Sequence, residues 1–165
     1  MSFKNFPGNS KVWLYGFKQK LNREQVDLVR AELQKFVNNW VWHGAPVVGN
    51  FELLEDRFIL LAATDSISGC SIDSSVSVFK NLKHNYNLDA LDHDLIFYRD
   101  KDEIKAVSRM NFQKLADEGT ITPSTPVFNL LIETLDEYHS GKFETSFSKS
   151  WHSRVFRVAA ETQVN

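Results

Sequence analysis

The chain has 165 residues, a net charge of −2, 42% hydrophobic and 24% charged residues, proportions that suit one globular domain with a core of its own. No long basic run is present, which excludes a sequence-independent grip on nucleic acid, and no stretch approaches the roughly 20 apolar residues that span a bilayer. Met1 to Ser10 lacks an apolar leader and the single cysteine cannot form an internal disulfide, so a cytoplasmic protein with no membrane or nucleic-acid partner is expected.

After an irregular lead-in at Phe6-Pro7-Gly8-Asn9, Lys11 to Phe17 (KVWLYGF) is rich in strand formers. Asn22 and Gln25 make a capping box. Behind it Val26, Val29, Leu33, Phe36, Val37 and Trp40 recur at helical spacing, predicting a helix from Arg23 to Val41 ended by Gly44 and Pro46. Pro46 to Leu54 and Arg57 to Thr64 read as a hairpin turning at Glu55-Asp56. Phe58 to Ala63 is continuously apolar, so both faces of that strand need cover. A second helix capped by Ser71 carries Ile72, Val76, Phe79, Leu82 and Tyr86, and Asp92 to Asp100 supplies a fourth strand.

The order βαββαβ is the signature of a ferredoxin-like α+β sandwich, four antiparallel strands with two helices on one face. Residues 11–100 form the core of a single domain in this reading, and 101–165 an extension covering the open sheet face. There Trp13, Tyr15 and Phe17 are expected to meet Phe128, Phe143, Phe147 and Trp151. Within the extension Asn111 to Glu118 reads as a short helix stopped by Gly119. Residues 126–138 are ambiguous: a helix after Thr125-Pro126 is favoured, against a strand from Val127 to Ile132 followed by a helix capped by Thr134 and Glu137.

The best candidate site is Ser68-Gly69-Cys70-Ser71-Ile72-Asp73, where a thiol, hydroxyls and a carboxylate crowd one helix start. Backbone N–H groups and the helix dipole there favour an anion or a thiolate. The plain alternative makes Cys70 a small hydrophobe in a strand-to-helix joint and Ser71 ordinary helix punctuation. The expected topology brings His43 to the same end, so that His43 can act as base for a Cys70 nucleophile; as a plain alternative it faces helix-end carbonyls. Arg99 leaves the fourth strand at that end too, as a further ligand-binding candidate.

His84, Asp92, His93, Asp94, His139 and His152 show no metal-site spacing, and no GxSxG elbow is present. The VWLYGF strand invites comparison with RNA-recognition domains, but Arg57 to Ala62 lacks their glycine-punctuated aromatic pattern.

Phe6-Pro7, VWLYGF, Trp40 with His43-Gly44, Arg57-Phe58, SGCSIDSS, Val127-Phe128-Asn129 and Ser150-Trp151-His152 together resemble a family of short uncharacterised bacterial proteins often labelled "ABC transporter ATPase". SGCSIDSS is the most specific element of a resemblance that spans Phe6 to Phe156 and brings no established activity. Trp42 and Leu130 depart from its pattern. The label itself fails on chemistry: GxxxxGK[ST] is absent, and Gly141-Lys142-Phe143 lacks both the glycine loop and the Mg²⁺-binding hydroxyl. No cofactor is therefore implied. The expectations are a module binding a small anionic ligand or a protein partner at Ser68, Gly69, Cys70, Ser71, Asp73 and Arg99; a thiol-dependent enzyme using Cys70 and His43; or a protein-interaction module.

Overall fold

A computed structural model describes residues 3–64 and 71–159, with residues 71–74 as backbone alone. In chain order the elements are β1 (Lys11–Gly16), α1 (Arg23–Asn38), β2 (Val41–Trp42), β3 (Ala45–Pro46), β4 (Gly49–Leu54), β5 (Phe58–Ala63), α2 (Ser71–Tyr86), β6 (Leu95–Asp100), β7 (Glu103–Ser108), α3 (Arg109–Asp117), β8 (Pro126–Phe128), α4 (Leu135–His139), β9 (Glu144–Ser146) and α5 (His152–Val155). The fold is mixed α+β with small antiparallel sheets. Two compact units divide the chain: residues 1–91 with 130–139, and residues 92–129 with 140–165.

The first unit is built on a sheet ordered β1-β5-β4. The Asn22 side chain accepts from the Gln25 amide at 2.8 Å and Gln25 returns the bond at 2.9 Å, so the expected capping box starts α1. The helix stops at Asn38, three residues early, because Val41-Trp42 pairs with Ala45-Pro46 around a two-residue turn. His43 (φ 51°) and Gly44 (φ 78°) take the two left-handed positions such a turn requires. The ring of Trp40 then lies on Gly49, where any Cβ would come within 2.6 Å of it.

The β4–β5 hairpin turns at Glu55 and Asp56, both left-handed, as the spacing predicts. Every residue of β5 is buried, which bears out the need for cover on both faces. Ile59, Leu61 and Ala63 pack with Val29, Leu33 and Val37 of α1 and with Val78, Phe79 and Leu82 of α2. Burying one side chain the size of Phe79 contributes about 1.5–3 kcal/mol.

Trp13, Tyr15 and Phe17 do share a face, but it is the helix face. Tyr15 stacks on Phe79 at 3.7 Å, Trp13 tilts against Trp40 at 6.0 Å, and Phe17 joins the same cluster. The lid expected from Phe128, Phe143, Phe147 and Trp151 is thus not what covers them, because alternation along β1 turns these rings toward α1 and α2.

The four-stranded ferredoxin-like sheet is not assembled either. Leu95–Asp100 forms a strand, yet it bonds to β7 and β8 in a second sheet ordered β7-β6-β8-β9. The local reason is the hairpin: Lys101, left-handed at φ 57°, and Asp102 turn the chain straight back into Glu103–Ser108, a strand the sequence reading passed over. The edge of β1 is met instead by residues 133–135. Lys11 bridges Thr134, the Val12 amide donates to the Glu133 carbonyl at 3.0 Å, and the Leu135 amide donates to that of Ser10 at 3.1 Å.

In the second unit Ile96, Tyr98 and Val127 of the sheet pack with Phe112 and Ala116 of α3 and with Ile121, Phe147, Phe156 and Val158. The Ser108 hydroxyl caps α3 through the Asn111 amide at 3.1 Å, and Gly119 (φ 83°) follows its end as expected. Residues 126–138 take the strand-then-helix alternative rather than the favoured single helix. Pro126–Phe128 pairs with β9, and the Thr134 hydroxyl accepts from the Glu137 amide at 3.3 Å to start α4.

Candidate functional site

Ser68, Gly69 and Cys70 lie outside the described residues; Ser71 and Asp73 are described only as the helical backbone that opens α2. One turn in, Ser75 is fully buried and its hydroxyl faces that of Tyr15 at 3.4 Å. Burial raises the Tyr15 pKa, against the smaller lowering effect of the Ser75 bond. This neutral pair and the Tyr15–Phe79 stack fix the first half of α2 to β1. Lys83 and His84 stand in its last turn, complementing the negative end of the dipole.

His43 is exposed at the tip of the β2–β3 hairpin, with its ring edge-on to Trp42 at 4.2 Å. It does not cap α1, since the turn between β2 and β3 has carried it past the helix end. Arg99 is placed by β6 in the second sheet, so it does not leave the β1-β5-β4 sheet beside Thr64. Its Nε and a terminal nitrogen donate to the Glu144 carboxylate at 2.6 and 3.1 Å, and its guanidinium lies 5.5 Å from the Phe128 ring centre. That paired, stacked geometry ties β6 to β9 and β8.

The hairpin carrying His43 has two unlike faces. Trp40 is buried and Val47 packs on the core, while Trp42 is half-buried. Alternation turns Val41, its register partner Pro46, and Val48 the other way, and all three are exposed, Val41 to 50% and Val48 to 59%. An apolar face turned outward on a turn-closed hairpin is the feature that sequence reading missed. Its signal was the strand alternation running through Val41-Trp42-His43-Gly44-Ala45-Pro46-Val47-Val48, which the helical stripe ending at Trp40 obscured.

The second unit holds a polar pair within the Ser150-Trp151-His152 element of the resemblance, whose His152 also showed no metal-ligand spacing. His152, 1% exposed, shares a 2.7 Å hydrogen bond between Nδ1 and the Ser150 hydroxyl, with Trp151 stacked on its ring at 4.0 Å. Burial, assisted by the Arg109 charge, lowers its pKa to about 4, so the imidazole is neutral at pH 7. Both partners are enclosed. The pair satisfies buried polar groups around α5 and offers no open face to a substrate.

A shallow cavity of about 190 Å³ in the first unit lies between the start of α1 and the end of α2. Two of its polar groups serve the fold: Gln25 closes the capping box, and Asp89 accepts from the Leu91 amide and pairs with Lys83. Among the described residues no cluster of three or more His, Cys, Asp or Glu could hold a metal ion, and no helix is long and apolar enough to cross a membrane. No protein-family model, no curated protein and no solved structure matches the chain.

Proposed function

We propose that the chain is a binding module that docks another polypeptide through the outer face of the β2–β3 hairpin. The carrying observation is the outward alternation of Val41, Pro46 and Val48 on a hairpin whose inner face is anchored by Trp40. Apolar groups presented together on one surface, rather than scattered singly, mark sites where a second apolar surface leaves water. The partner class is a protein offering apolar side chains to a short, rigid, nearly uncharged ridge. A photo-crosslinking residue placed at Val41 or Val48 in the producing cell is expected to give a discrete adduct heavier than one chain. The same residue at Lys101, on a charged hairpin tip, is expected to give none. Equal patterns from all three positions would defeat the reading.

A second reading keeps the small anion at the start of α2. It is supported by a 16-residue helix that opens at Ser71, directly after Ser68-Gly69-Cys70 in the chain, with its first half pinned by Tyr15 and Ser75. Titration with inorganic phosphate, followed by amide shifts of Ser71 to Ser75, tests it. Shifts confined to that turn support it, and uniform or absent shifts refute it.

A further inference from the structure

Between Glu144 and Glu161 the chain carries Lys149, Arg154 and Arg157 and no acidic residue, in a protein whose net charge is −2. The second unit folds this stretch against α3. Gln113 donates from Nε2 to the Arg157 carbonyl at 2.8 Å and accepts from the Arg157 amide at 3.2 Å, which straps the chain beside the helix. Four residues earlier, on the same side of α3, the Arg109 guanidinium lies over the Trp151 ring, 5.7 Å from its centre.

Trp151 has helical backbone geometry and its carbonyl accepts from the Arg154 amide at 2.9 Å, so Arg154 and Val155 follow it on one side of α5. His152 and Phe156 take the other side and are buried. Met110 stands three residues before Gln113 on α3. The resulting surface carries Arg109, Arg154 and Arg157, all exposed, with Met110 and Val155 at 70% and 53% exposure. None of the three arginines is in an ion pair among the described residues. Two carboxylates of the same unit are held to other groups: Asp94 accepts from the Arg109 backbone amide at 3.4 Å, and Asp117 from the Gln113 side chain at 2.9 Å. Like charges gathered without counter-charges repel one another in the free protein, and an anionic partner replaces that repulsion with attraction.

We propose that this surface binds an acidic polypeptide segment with apolar side chains between its carboxylates. Guanidinium forks pair with carboxylates two bonds at a time, as Arg99 does with Glu144 in the same unit. Met110 and Val155 offer apolar contact, for which a phosphate backbone has no counterpart. The Trp151 ring has His152 stacked on it at 4.0 Å and Arg109 over it, so no face is left to stack a nucleic-acid base. α5 is four residues long, and a single turn buries too little apolar area to hold a bilayer surface. The inference concerns the second unit and does not rest on the hairpin of the first.

The test uses the full chain and three probes at low salt: a labelled twelve-residue peptide of repeating Glu-Glu-Leu triplets, an oligothymidylate of equal net charge, and vesicles containing phosphatidylserine. The peptide is expected to bind saturably and to weaken as salt is raised. The oligothymidylate and the vesicles are expected to bind at least tenfold more weakly. Arg154→Gln with Arg157→Gln should lower peptide affinity at least tenfold, with the melting temperature within a degree or two because both positions are exposed. Amide shifts in the unsubstituted protein keep the test valid if that variant folds poorly; on adding peptide they should concentrate at Arg109 to Asn111 and Arg154 to Arg157. Tighter binding of the oligothymidylate or the vesicles would overturn the proposal. So would peptide affinity unchanged in the folded variant, shifts centred elsewhere, or no saturable peptide binding.

Discussion

Acidification should weaken the second unit through His152. In the folded chain the imidazole titrates at about 4, with burial the main cause and the Arg109 charge the lesser. Unfolded, it returns to about 6.5. Above pH 6.5 both states are neutral there and His152 adds no pH dependence. As pH falls below 6.5 the unfolded state takes up a proton that the folded state refuses, so stability declines until the folded pKa is reached near 4. With the ring 1% exposed, solvent screening is minor, and the pKa difference corresponds to about 3 kcal/mol lost across that window. The assay is urea unfolding at several pH values between 7.5 and 4, with amide exchange of Ile96, Tyr98 and Val127 reporting the second unit. At pH 7.5 His152→Phe should lose about 1–3 kcal/mol, because the Ser150 hydroxyl is left buried without its partner, and that deficit should close as the pH falls toward 4. The informative quantity is the slope: the wild-type minus variant difference should vary with pH between 6.5 and 4 and be flat above. A parallel pair of curves, or an imidazole that titrates near 6.5 in the native protein, would refute the reasoning.

Other substitutions probe the fold that carries the hairpin and the loop. Gly8→Ala would set a Cβ 2.0 Å from an Asp136 carboxylate oxygen, so the melting temperature should drop by an amount equivalent to about 1–3 kcal/mol; Gly8→Ala with Asp136→Ala should recover part of it. Asn22→Ala removes the capping box of α1 and should cost about 1 kcal/mol in urea unfolding, with the loss absent in Asn22→Asp. Calorimetric titration with Mg-ATP should give no P-loop-type binding, because the sequence has no GxxxxGK[ST] cradle; saturable micromolar binding abolished by Lys142→Ala would contradict this.

Local patterns in the sequence were legible where one residue type carries the geometry. The capping box, the Glu55-Asp56 turn, Gly119 after α3 and the full burial of β5 all follow from short-range rules. What could not be read was partner choice among strands. Asp92 to Asp100 looks the same whether it pairs with β1 or with Glu103–Ser108, and only the two-residue turn at Lys101-Asp102 distinguishes them. The aromatic alternation of Trp13, Tyr15 and Phe17 likewise fixes a shared face but not what lies over it. At the candidate site, the expectation that Arg99 and His43 stand near Cys70 rested on the four-stranded sheet; Arg99 belongs instead to the β7-β6-β8-β9 sheet of the second unit, and Cys70 lies outside the described residues. The outward face of the hairpin was hidden because Val41 and Trp42 extend the helical stripe of α1 by composition while adopting β geometry.

Crosslinking from the hairpin, set against a surface made charged by substitution, decides whether its outer face is where a partner docks. With the photoreactive residue held at Val48, Val41→Lys with Pro46→Lys places two charges on the ridge while leaving Trp40 and Val47 in the core. The adduct should fall at least tenfold and the melting temperature should stay within a degree or two, since exposed positions contribute little to stability. An adduct of undiminished yield from the charged ridge, in a protein that remains folded, would contradict docking through this face.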